Sequence, residues 1–187
     1  MDKLEESVGV VFTTVNKPRT KNKHLNDEID FISEHVRCLI TARDIEGLDV
    51  CLSENVHLLD YVLFVTPADD RQSILSLVCS LGLLDVVKLL HSHKLLRNIT
   101  DGDGYSPLHR AAYSQHTELV KYLTNCFGAE ALLDCTQSGF NVLHVAANLG
   151  HVDMLRFVAQ RIDDVNVHSE KGWNALHIAA HAGFTKV

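Results

Sequence analysis

The stretch GYSPLHRAAYSQH, Gly104 to His116, returns twice, as GFNVLHVAANLGH from Gly139 to His151 and as GWNALHIAAHAGF from Gly172 to Phe184. The offsets are 35 and 33 residues. Three in-register copies of Gly-aromatic-x-x-Leu-His-x-Ala-Ala form an internal repeat, and a period in this range marks small supersecondary units that bury their apolar faces by stacking on one another. A weaker copy lies upstream in RQSILSLVCSLGLLDVVKLL, Arg71 to Leu90, where Leu75 stands 33 residues before Leu108, Val78 and Cys79 replace Ala111 and Ala112, and Ser76 replaces the His. A fainter one, VRCLITARDIEGLDVCL from Val36 to Leu52, keeps the apolar spacing of a helix pair without the diagnostic residues.

Each unit reads as a helix hairpin. Leu108, Ala111 and Ala112 fall at i, i+3 and i+4 on one helical face, and the Ala pair lets a second helix approach closely. That second helix carries an apolar stripe in each copy: Val86, Val87 and Leu90, then Leu119, Val120 and Leu123, then Met154, Leu155 and Val158. Gly104, Gly139 and Gly172 close the polar runs DGDG, TQSG and SEKG, where a tight turn calls for a positive φ. Ser106, Asn141 and Asn174 stand where a helix N-cap is expected, and Pro107 occupies a first helical position.

These residues resemble the ankyrin repeat, with its period of about 33 residues and its T-P-L-H-x-A signature. The resemblance covers Arg71 to the C-terminus, and loosely begins at Val36. It implies an all-α solenoid of four or five stacked helix pairs with short β-hairpin fingers at the polar runs. In such repeats His109, His144 and His177 brace the finger backbone through hydrogen bonds, and Gly104, Gly139 and Gly172 turn the finger. Finger tips and first helices line a concave groove, and the positions there differ between copies while the frame stays fixed. The partner contacts implied are Asp103, Tyr105, Arg110, Tyr113, Ser138, Phe140, Asn148, Leu149, Lys171, Trp173 and His181. The rings that follow each finger Gly, Tyr105, Phe140 and Trp173, are expected to form an aromatic ladder along one edge, a residue class enriched at interface hot spots.

The expected organisation is a flexible leader over residues 1–30 and a repeat array over 31–187. The array divides into a degenerate repeat at 31–66, repeats at 67–99, 100–135 and 136–167, and a partial repeat at 168–187. Val56 to Val65 is expected to cap the N-terminal end of the stack, and Asp69-Asp70 after Pro67 to form a finger tip. Phe127 to Leu133 lengthens one junction. The last copy stops where its second helix would begin, so the chain is expected to be the N-terminal part of a longer protein, or to have the edge from Trp173 to Val187 covered by something else, self-association included.

The chain has 187 residues, 46% hydrophobic and 22% charged, with a net charge of −7, an ordinary globular balance without the basic footprint that phosphate backbones require. No nucleic acid is expected as partner. Nor is membrane insertion, because the long apolar stretch Ser73 to Leu90 contains Asp85 and Lys88 and is split at Gly82. Five Cys without a C-x-x-C pair read as reduced, packed thiols in a cytoplasmic or nuclear protein. The basic residues Lys17, Arg19, Lys21 and Lys23 read as a solvated tail before an import patch.

The chemical temptations are weak. Equivalent His in successive repeats lie roughly 10 Å apart along a stack, the usual helix packing distance, whereas zinc ligands converge to about 2 Å. His91 and His93 are the only close His pair. Asp101-Gly102-Asp103-Gly104 lacks the alternate ligands and closing Glu of a calcium loop. There is no G-x-S-x-G elbow, P-loop or G-x-G-x-x-G. The reading is therefore a non-catalytic adaptor without cofactor or metal that binds another protein. The alternatives are a regulatory or targeting module of an enzyme or channel whose functional part lies beyond residue 187, and a homotypic structural module.

Overall fold

The computed structural model describes residues 23–64, 73–101 and 104–185. Its helices come in consecutive pairs, each joined by a turn too short for anything but an antiparallel hairpin. In chain order they are α1 (Lys23–Ala42) with α2 (Ile45–Glu54), α4 (Ile74–Ser80) with α5 (Leu84–Ser92), α6 (Pro107–Tyr113) with α7 (Thr117–Phe127), and α8 (Val142–Asn148) with α9 (Val152–Ala159). A short helix α3 (Leu59–Phe64) follows a 3-10 turn at Val56–Leu58, and α10 (Ala175–His181) ends the series. The first helices pack one on the next, α4 on α6, α6 on α8 and α8 on α10, and the second helices form the outer layer. This is the all-α solenoid expected.

One backbone device closes every pair. Arg43, Gly82, Gln115, Gly150 and Gly183 have φ between 57° and 85°. In each, that residue's N–H donates to the carbonyl three back, and the following N–H to the carbonyl five back, as in Gly150 to Ala147 (3.2 Å) and His151 to Ala146 (2.9 Å). This left-handed closure satisfies the orphan carbonyls at a helix end. The α1–α2 pair shares it, with Asp44 N–H reaching Leu39 O at 3.0 Å. The Val36–Leu52 segment therefore has the backbone of its better-marked neighbours although Arg43 stands where Gly82 and Gly150 do.

The core is one continuous strip. Leu108, Ala111 and Ala112 of α6, and Leu143, Ala146 and Ala147 of α8, are buried, as are the second-helix stripes at Val86, Val87 and Leu90, at Leu119, Val120 and Leu123, and at Met154, Leu155 and Val158. Successive first helices sit close because Ala, or Cys79 in α4, occupies the tight position. Burial pushes the Cys79 thiol up to about 12, which keeps it protonated and inert. All five cysteines are free, but Cys38 and Cys135 are exposed where packed thiols were expected.

Two expectations about the irregular parts need correcting. Residues 23–30 belong to α1 and not to a leader, so the boundary at 31 has no counterpart in the backbone. The 56–65 segment does not cap the stack: α3 lies between α1 and α4, with Leu58, Leu59, Val62 and Leu63 in the core. The lengthened junction from Phe127 to Leu133 holds a 3-10 turn at Ala129–Leu133 that buries Ala131 and Leu132 beside α7 and α8. The expected finger at Pro67 to Asp70 and the basic residues Lys17 to Lys21 lie outside the described residues.

Candidate partner-binding face

The finger turns are built by a residue that the sequence pattern hides in its polar run. Asp101, Thr136 and Ser169 each donate their N–H to the carbonyl of Tyr105, Phe140 or Trp173, and accept the N–H of Gly104, Gly139 or Gly172, all at 2.8–2.9 Å. Their side-chain oxygens accept the N–H of the same aromatic residue, at 3.0 Å in Asp101, 3.2 Å in Thr136 and 3.3 Å in Ser169. The three glycines have φ of 81°, 73° and 75°, the geometry of a three-residue turn ending in a bulge. Among the described residues the hairpins stop at this turn and no strand forms.

His109 and His144 tie one repeat to the next. In both, Nδ1 accepts the N-cap N–H, from Ser106 at 3.3 Å and from Asn141 at 3.2 Å. The proton must then sit on Nε2, which donates to Phe140 O and Val167 O, each at 2.9 Å. Burial pushes His109 down to about 4, against the opposing pull of the Phe140 carbonyl. His144 is lowered for the same first reason. Both are neutral near pH 7, and both are structural links with no free ligand lone pair. His177 repeats the inner half, its Nδ1 accepting Asn174 N–H at 3.4 Å, but its ring is exposed. Among the described residues no group of three or more His, Cys, Asp or Glu side chains is placed to hold a metal ion. His91 Nδ1 meets the Tyr122 hydroxyl at 2.8 Å and His93 Nε2 meets Asp49 at 2.6 Å, so the close His pair diverges.

The rings do not make a ladder. Each packs on the first helix of its own repeat: Tyr105 lies 5.4 Å from Tyr113 at an interplanar angle of 84°, Phe140 lies 5.7 Å from His144, and Trp173 lies 4.9 Å from His181. The ring leaves the finger pointing back along its helix, so its partners are the residues four and eight positions on.

Four of the expected contacts, Tyr105, Arg110, Tyr113 and Ser138, do come together. With Ser80, Ser114, Thr136 and Gln137 they line an open groove of about 720 Å3 between the finger of one repeat and the first helix of the repeat before it. Arg110 Nε meets Asp101 Oδ2 at 2.6 Å, its guanidinium lies 4.5 Å above the Tyr105 ring, and the Asp101 side chain has no exposed surface. The floor is thus aromatic, its charge is internally compensated, and the rim carries hydroxyls and an amide. Burial, and then the neighbouring Tyr105, raise the Tyr113 phenol, so it stays a hydrogen-bond donor.

The other expected contacts lie elsewhere. Asn148 and Lys171 are exposed, Phe140 and Leu149 are half-buried against the core, Trp173 of the last finger packs on His181 of α10, and Asp103 lies outside the described residues. Sequence reasoning missed Thr136, Gln137 and the Asp101–Arg110 pair. The available signal was the Asp, Thr or Ser standing three residues before each finger Gly.

A family model described as ankyrin repeats matches residues 48–134 and 128–187. The transient receptor potential cation channel subfamily A member 1 of Drosophila melanogaster is 26% identical to this chain over 133 residues, which covers 63% of the chain and 11% of the channel protein. The chain thus spans about a tenth of that relative's length.

Proposed function

The chain belongs to the ankyrin-repeat family, and from that premise we propose that it is a non-catalytic scaffold that holds a segment of a partner protein in the groove between Tyr105, Tyr113 and Ser138. Ankyrin repeats are protein-interaction modules, and no helix among the described residues is long and apolar enough to cross a membrane. The observation that carries the reading is the groove itself. It gathers residues that vary between repeats onto a frame of repeated hydrogen bonds, and it offers aromatic surface with its one ion pair already satisfied. A partner therefore gains ring contact and hydroxyl hydrogen bonds without stranding a buried charge, the arrangement of an interface centre. The cytoplasm, or the nucleus, is the proposed place of action.

The test is photo-crosslinking in cells with a benzophenone side chain placed at Tyr113 or, as a control, at Arg156, exposed on the outer layer. Discrete partner adducts from position 113 that are missing from 156 support the reading. Adducts from 156 alone move the interface to the outer helices.

Two further readings have their own support. The likeness to a cation channel favours a regulatory module joined to a channel. Sequencing the messenger past codon 187 tests this, since a reading frame that continues into membrane-spanning segments supports it and a stop codon at that point ends it. Self-association is favoured by the face of α10, where Leu176, His177 and Phe184 are exposed.

A further inference from the structure

One position recurs along the inner face of the stack. Ser80, Tyr113, Asn148 and His181 stand 33, 35 and 33 residues apart, each the last residue of its first helix, α4, α6, α8 or α10. None of the four is buried. Because the first helices pack one on the next, these positions form a row whose step is the helix packing distance, roughly 8–10 Å. A segment that follows the row must present a side chain at that interval. A polyproline II helix does so, since three residues make one turn and advance about 9.3 Å. A β-strand returns to the same face about every 6.6 Å and falls out of step within one repeat. An α-helix keeps step at every seventh residue, about 10.5 Å, but its carbonyls are spent on its own backbone.

Where the row passes Tyr113 it meets the groove already described, and the lining favours the same conformation. The Tyr105 and Tyr113 rings meet at 84° and form a corner, the kind of aromatic surface on which proline-rich segments dock. Thr136 Oγ1 accepts the Phe140 N–H at 3.2 Å, and a hydroxyl that accepts still has its hydrogen to give. Gln137 and Ser138 are exposed beside it. A polyproline II backbone has no internal hydrogen bonds, so its carbonyls are open to such donors. Strand addition would need an open sheet edge, and among the described residues the fingers end in turns without strands. An acidic side chain on the segment would have to compete with Asp101, which already holds Arg110 at 2.6 Å.

We propose that the segment held in the groove is an uncharged, proline-bearing stretch in the polyproline II conformation that runs along the stack, one turn per repeat, with a proline ring in the corner between Tyr105 and Tyr113. The proposal rests on the reading of the groove as the partner site and adds the chemical class and the course of the partner. From Ser80 to His181 the row has three steps, roughly 24–30 Å in all, which about nine to eleven residues cover at about 3.1 Å each.

The experiment is fluorescence anisotropy of dye-labelled oligoprolines with the full chain, for the wild type, Tyr113→Ala and Arg156→Ala, each checked for folding by circular dichroism. The probes are L-proline peptides of three, six, nine and twelve residues, and the twelve-residue D-proline peptide, which has the same composition and the mirror-image helix. Affinity is expected to rise with length and to level off between nine and twelve residues. The D-proline peptide, and Tyr113→Ala with the L-proline peptide, are each expected to bind about tenfold more weakly, the loss typical of an interface aromatic, and Arg156→Ala to bind as the wild type does. Equal binding of the two mirror forms, or an affinity unmoved by Tyr113→Ala, overturns the proposal, and a plateau already at three or six residues overturns the course along the stack. If no oligoproline binds while position 113 still gives partner crosslinks in cells, the polyproline class is wrong and the groove reading stands. If position 113 gives no crosslinks either, both fail.

Discussion

Replacing His109 by Ala removes a buried ring that serves two backbone groups of adjacent repeats at once. Its Nδ1 accepts Ser106 N–H and its Nε2 donates to Phe140 O at 2.9 Å, and the side chain has no exposed surface. Each backbone group left unpaired in the interior costs about 1–3 kcal/mol, and the void left by the ring adds to that. The expected loss is about 3–5 kcal/mol, or a fall in Tm of roughly 6–20 °C at about 2–4 °C per kcal/mol for a chain of this size. His177→Ala is the internal control, because the same residue at the same repeat position is exposed and makes only the local bond to Asn174; its expected cost is within about 0.5 kcal/mol. Urea denaturation followed by circular dichroism gives both values, provided the slopes agree. Equal costs for the two variants would refute the argument that inter-repeat hydrogen bonding, and not the residue type, sets the contribution.

The same burial makes stability pH-dependent. His109 folds with a value near 4 against an ordinary 6.5, so the neutral form is favoured in the fold; stability is full above about 6.5, falls as pH drops toward 4 and levels off below, which urea midpoints at several pH values will show, and a flat profile over that window would contradict it. Gly139→Ala should cost more than Gly172→Ala, because both need a positive φ but only at Gly139 would the new Cβ lie 2.5 Å from a backbone atom, Glu170 N; thermal unfolding of the pair decides it. Leu143→Ala should cost about 2–5 kcal/mol as a buried Leu, and Leu176→Ala under about 1 kcal/mol in the monomer, with the same denaturation assay as readout.

The repeated frame was legible because its residues carry their own period. Leu108, Ala111 and Ala112 define a helical face from spacing alone, and Ser106, Asn141 and Asn174 are in fact the N-caps, each accepting the N–H of the His three residues on. What stayed hidden depends on neighbours that sequence distance does not reveal. The α1–α2 pair lacks every signature residue because its turn uses Arg43 in a left-handed conformation that any side chain can adopt at a cost. The apolar run of α3 reads equally well as an end cap or as an intercalated layer, since periodicity reports that a face is buried and not what buries it. The aromatic positions were found correctly, but the direction of each ring was not: Tyr105 and Trp173 turn onto Tyr113 and His181, eight residues on, and this follows from the finger's geometry and not from ring spacing. In the groove, Arg110 looked like a free contact, whereas Asp101 nine residues earlier already holds it.

The central proposal is that the groove between Tyr105, Tyr113 and Ser138 holds a partner protein, and the most direct test is the affinity of a crosslink-identified partner for the wild type, Tyr113→Ala and Arg156→Ala. Tyr113 is partly exposed, so its truncation leaves the fold intact while removing a wall of the groove, and Arg156 is exposed on the outer layer. Tyr113→Ala is predicted to weaken binding about tenfold or more, as loss of an interface aromatic does, and Arg156→Ala to leave it unchanged. Unchanged affinity in Tyr113→Ala, with weakening in Arg156→Ala, would contradict the proposal and place recognition on the outer helices.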